Sequence, residues 1–139
     1  MSITVALRRH LLQSCAIAFV AVGVLIGLPI IHAVSADLTP TATPDRAVPV
    51  LWGIVLLNLL SGTMVWMAAR RPAWAKSAIM LPGLACLLFG IALSDAGIAY
   101  YGEGAAMRAA AILLFICSAA NVIGGAIAIA TASMRQATA

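Results

Sequence analysis

Carboxylates and imidazoles move protons and hold cations, and this chain has few of either: four acids and two histidines in 139 residues. Asp95, Glu103 and His32 are the ones whose placement suits such chemistry, each near the same end of a long apolar run. An ionisable group deep in an apolar span costs roughly 3 kcal/mol or more and marks a functional site by default. Asp95 is the candidate, because it lies inside a run. Helix rise puts it about 28 Å beyond Lys76, close to the far boundary of a bilayer rather than its midplane. Its expected role is an interfacial carboxylate that reaches water or pairs with Arg108. The sharper alternative groups Asp95, Glu103 and His32 as an outer-face proton or cation site.

Asn58 and Asn121 are the polar groups expected at depth. Asn58 precedes Arg70 and Asn121 precedes Arg135 by about the same helical distance, roughly 18–21 Å, which places both near mid-membrane. A bare carboxamide in hydrocarbon is unfavourable, so each is expected to face protein. The expectation is a polar packing pair, bonded to one another, with substrate or ion contact as the alternative. Their surroundings echo one another, Asn58-Leu59-Leu60-Ser61-Gly62 and Asn121-Val122-Ile123-Gly124-Gly125. Such an echo fits two helical hairpins related by a parallel repeat.

Cys15, Cys86 and Cys117 are odd in number, lie inside apolar runs and form no C-x-x-C or His/Cys ligand spacing. They read as small packing residues, without a metal site or redox pair. No histidine falls at mid-depth to ligate a haem, and no cofactor is expected.

These residues are positioned by four apolar runs. The chain is 64% hydrophobic and 9% charged, against about 45–50% and about 25% in soluble domains. Spans are expected at about 11–34, 48–69, 77–99 and 108–131, each about the length that crosses a hydrocarbon core of roughly 30 Å. A solvated loop, 35–47, carries two prolines and two aspartates and joins the first pair. A basic turn, 70–76, joins the middle pair, and a glycine-rich turn, 100–107, the last. Val34-Ser35-Ala36 after the first run resembles a leader cleavage site, but leader cores are about 7–15 residues, so a retained helix is expected. Small residues mark packing faces: Gly23 and Gly27 on the first span, Gly83, Gly90 and Gly97 at seven-residue spacing on the third. On the fourth, Cys117, Asn121, Gly124 and Ala128 share one face. The expected architecture is an all-α integral membrane protein, a single up-down-up-down antiparallel four-helix bundle.

Charge gives the orientation. Arg8, Arg9, Arg70, Arg71, Lys76 and Arg135 fall on one side, and Arg46 and Arg108 on the other with all four acids. Lysine and arginine in short loops favour the cytoplasm, so both termini are expected inside, in a bacterial inner (plasma) membrane. Arg70, Arg71 and Lys76 then serve as topology signals that touch anionic lipid headgroups. The net charge of +4 sits at span ends rather than in one aromatic-laced patch, which argues against nucleic acid.

With no catalytic motif, the sequence points away from an enzyme and towards a non-catalytic accessory, scaffold or assembly subunit. Its partners would be other membrane subunits or a second copy of itself, besides the lipid bilayer. The alternative is a small homodimeric transporter. In size and four-span layout the chain resembles the small multidrug-resistance exporters. That resemblance implies proton-coupled export through a membrane-embedded glutamate in the first span, where Leu11 to Val34 holds no carboxylate. A third class is a membrane enzyme using Asp95, Glu103 and His32 at the outer face.

Overall fold

The computed structural model describes residues 3–32, 44–71 and 76–134. Four helices make up the described chain: α1 (Ile3–Leu25), α2 (Pro44–Arg70), α3 (Ser77–Tyr101) and α4 (Ala105–Met134). All four are long and apolar enough to cross a bilayer. Neighbours in sequence are antiparallel neighbours in space, and α1 also packs on α4, which closes a four-helix ring. α1 and α3 lie across one diagonal, α2 and α4 across the other. The bundle is the expected one.

Helix ends depart from expectation. α1 begins at Ile3 rather than near Leu11, because Arg8, Arg9 and His10 limit how deep a helix sits, not whether it forms. At its far end α1 widens into a π-helical turn, Ile26–Ile30, around Pro29. Proline has no N–H and its ring crowds the carbonyl four residues back, and the Ile31 amide bonds to Ile26 O, five residues back. α2 starts at Pro44, inside the stretch 35–47 expected as a loop. Proline suits the first helical position, where the N–H it lacks would have no partner. The turn expected at 100–107 contracts to Gly102–Gly104, with Gly104 at φ +125°, a conformation that favours glycine. Residues 33–43, Pro72 and Trp74 of the basic turn, and Arg135 lie outside the described residues.

Large apolar side chains cover the outside of the bundle, among them Ile17, Leu28, Leu60, Leu81, Ile98 and Ile123. Soluble monomers seldom expose contiguous patches beyond a few hundred Å². Here apolar side chains are exposed on every helix, as lipid contact requires. The interior holds two clusters: Phe19, Leu12, Val65, Ile79 and Cys86 towards the basic-turn end, and Ile26, Ile30, Leu51, Leu93 and Leu114 towards the other.

The two hairpins repeat one another. Placing Ala16 on Gly83 aligns the buried positions of α1 and α3: Leu12 with Ile79, Cys15 with Pro82, Phe19 with Cys86, Ile26 with Leu93. Placing Asn58 on Asn121 does the same for α2 and α4, from Leu51 with Leu114 to Ala68 with Thr131. Contacts between helices repeat as well. A Cβ added at Gly62 would meet Ala16 O at 2.8 Å and Val20 N at 3.3 Å; one at Gly125 would meet Gly83 O at 2.5 Å and Leu87 N at 3.0 Å. Gly23 faces Val55 O and Leu59, and Gly90 faces Ser118 O and Val122, the corresponding atoms. The echo in sequence is therefore a parallel repeat in packing, α1–α2 onto α3–α4.

Candidate functional site

Asn58 and Asn121 are fully buried, at corresponding places in the two hairpins. They are not hydrogen-bonded to one another. Asn58 Nδ2 donates to Ile54 O at 3.0 Å, and the Cys86 thiol approaches Asn58 Oδ1 at 4.0 Å. Neither amide atom of Asn121 has a hydrogen-bond partner. The expected direct bond fails because rise along a helix gives depth alone. α2 and α4 are diagonal, and each packs on α1 and α3 instead.

The difference between the asparagines follows from what stands opposite each. On the Asn58 side stand Cys86 of α3 and Ser61 of α2, both buried. At the corresponding places across the bundle stand Phe19 of α1 and Gly124 of α4. The Phe19 ring would lie 2.8 Å from a Cβ at position 124, so the larger ring is accommodated by the smaller residue. One side of the centre thus has a thiol, a hydroxyl and an amide, and the corresponding places on the other have a ring, a glycine and an amide. The sequence identified both asparagines by their depth and Ser61 as part of the echoing stretch, but not Phe19 and Cys86 as the residues at corresponding places on the facing helices. The register of the two hairpins was the signal that could have found them.

Other buried hydroxyls are satisfied close at hand. Ser118 Oγ donates across the α3–α4 interface to Gly90 O at 2.6 Å, a contact the missing Gly90 side chain permits. Thr131 donates to Ile127 O at 2.7 Å within its own helix. The three cysteines are free and buried, as expected of packing residues.

The outer-face candidates lie on the surface. Asp95 and Glu103 are exposed, and so is His32 at the end of the π-helical turn. Asp95 occupies the place that exposed Leu28 holds in the first hairpin, facing away from the bundle interior. Among the described residues, no three His, Cys, Asp or Glu side chains gather where they could hold a metal ion. Arg108 lies over the Tyr101 ring, 5.6 Å from its centroid, and makes no ion pair with Asp95. At the basic-turn end Arg70 lies over the Trp66 ring at 4.8 Å. Both are cation–π contacts at a helix end, where Trp, Tyr and arginine anchor a span at the headgroup level. Arg70 and Arg71 are exposed, and Lys76 is half-buried ahead of α3.

Among the described side chains, no aspartate, glutamate, lysine, arginine or histidine is buried. These features define a small four-span integral membrane protein. Comparison with protein-family models, curated proteins and solved structures finds no match.

Proposed function

We propose that this chain is a non-catalytic accessory, scaffold or assembly subunit of a complex in a bacterial plasma membrane, with both termini cytoplasmic. The observation that carries the reading is that, among the described residues, no carboxylate or imidazole is buried: the buried polar side chains there are Asn58, Ser61, Ser118, Asn121 and Thr131. Proton-coupled transport and acid–base catalysis use ionisable groups placed in a span or cavity. Asp95, Glu103 and His32 are exposed and offer no such enclosure. Asn58 and Asn121 then act as structural groups that fix which helix faces turn inward. Arg70, Arg71 and Lys76 hold the basic turn at anionic headgroups.

Purification in mild detergent followed by intact-complex mass measurement tests the reading. A stoichiometric foreign partner is expected. A lone homodimer would overturn it in favour of a small transporter. Asp95→Asn and Glu103→Gln should leave the assembly unchanged, whereas loss of a transport or enzymatic activity in either variant would refute a non-catalytic role.

A further inference from the structure

Beside the basic turn a groove of about 560 Å³ runs along α3 and α4. Met80, Leu81, Leu84 and Ile129 form its apolar walls, and Lys76 and Ser77 stand at its end. Charge and greasiness are therefore separated along its length, as they are along a phospholipid. Lys76 immediately precedes α3, so its ammonium adds to the positive end of a 25-residue helix.

The repeat supplies a comparison within the same molecule. In the first hairpin the places of Lys76, Met80, Leu81 and Ile129 are taken by Arg9, Gln13, Ser14 and Trp66. Two apolar walls become polar, and an indole, stacked under Arg70, stands where Ile129 leaves room. A cation is present at both places. The apolar walls Met80 and Leu81 that lead to it in the second hairpin have the polar counterparts Gln13 and Ser14 in the first.

We infer that this groove binds one anionic phospholipid of the leaflet on the basic side, an acyl chain lying along Leu81, Leu84 and Ile129 and the phosphate meeting Lys76. Charge complementarity names the occupant. An ammonium at the headgroup level favours an anionic lipid over a zwitterionic one by about 5-fold, the weight of one basic residue near a membrane surface. The site rests on the reading that Lys76 stands at the headgroup level, and not on whether the protein is a scaffold or a transporter.

The test uses the full-length protein in mild detergent, titrated with dioleoyl phosphatidylglycerol or dioleoyl phosphatidylcholine, with retained lipid counted by intact-mass spectrometry. One phosphatidylglycerol should be retained about 5-fold more strongly than phosphatidylcholine. Lys76→Gln should abolish that preference, and Ile129→Trp, which copies the first hairpin, should weaken retention of both lipids. Arg9→Gln should change nothing. Equal retention of the two lipids by the unaltered protein, or an unchanged preference in Lys76→Gln, would overturn the proposal. So would displacement of the lipid by glycerol 3-phosphate, which would mean that the phosphate alone is recognised, or a second copy of the chain filling the groove. Thermal midpoints of the variants, taken alongside, separate loss of the site from loss of the fold; if Ile129→Trp unfolds, Leu84→Trp replaces it with the same expected result.

Discussion

Asn121 is the residue at which this structure departs most from ordinary satisfaction of buried polar groups. Its carboxamide is fully buried, and both polar atoms are without partners. An unpaired buried polar group costs about 1–3 kcal/mol. Asn121→Leu should therefore leave stability unchanged or raise it by about 1 kcal/mol. Asn58→Leu should lower it by about 0.6 kcal/mol, the usual weight of a polar contact inside a membrane bundle. Thermal or steric-trapping measurements in bicelles check both. With no bond between the two side chains, the double variant should be additive within about 0.5 kcal/mol. A large coupling, or a destabilising Asn121→Leu, would show that the asparagine is engaged. The Phe19–Gly124 contact makes a sharper residue-scale prediction. Gly124→Ser should be destabilising because the ring lies 2.8 Å from the position of a Cβ. Phe19→Cys should relieve it, since the two changes together copy Cys86 and Ser61, the smaller residues at the corresponding places of the other side. Double-mutant coupling of about 1–3 kcal/mol is expected, and simple additivity would sink the compensation.

Helix pairs in lipid gain little from hydrophobicity, because acyl chains are as apolar as leucine, so close backbone approach carries much of their association. Gly62 and Gly90 are the points where this can be tested. A Cβ at Gly90 would lie 2.9 Å from Ser118 O, and one at Gly62 2.8 Å from Ala16 O, so the obstacle is backbone that cannot rotate away. Gly90→Val and Gly62→Val should each cost about 1–3 kcal/mol or more through overpacking. Gly53→Ala, with nothing within 4 Å, should be neutral or slightly stabilising in the same assay. Comparable losses at all three would mean that helix propensity, not approach, is being measured. At this scale the sequence was legible for a physical reason: lipid demands about 20 apolar residues per span, and that demand is visible without any knowledge of packing. The seam of Gly83, Gly90 and Gly97 was visible for a related reason, since only small residues permit close contact. Helix ends were not legible. Pro44 reads as a loop residue until its place at the start of α2 is known, and Arg8 to His10 read as a tail although α1 runs through them. The azimuth of Asn58 and Asn121 was hidden too, because spacing along one helix says nothing about which neighbour a side chain meets.

For the whole molecule, four antiparallel spans put the start of α1 and the end of α4 on one side, and the proposal that this side is cytoplasmic rests on charge. The basic residues divide six against two, with Arg70, Arg71 and Lys76 supplying half of the larger group at a single turn. Acids contribute little to this bias, so the four acids on the opposite side are not a second argument for it. Reporter fusions at Ala73 and within the Thr39–Thr43 stretch should therefore report cytoplasm and exterior respectively. A cytoplasmic signal from the Thr39–Thr43 fusion would overturn the orientation and turn Asp95 and Glu103 towards the cell interior. The same count predicts how the topology fails. Replacing Arg70, Arg71 and Lys76 by glutamine leaves Arg8, Arg9 and Arg135 against Arg46 and Arg108, nearly a balance. The variant should insert in both directions, giving a mixture of signals from each fusion. Replacing Arg46 and Arg108 by glutamine should sharpen the original orientation instead. If the triple variant still inserts in one direction, the helices themselves set the topology and the basic turn serves the lipid surface alone.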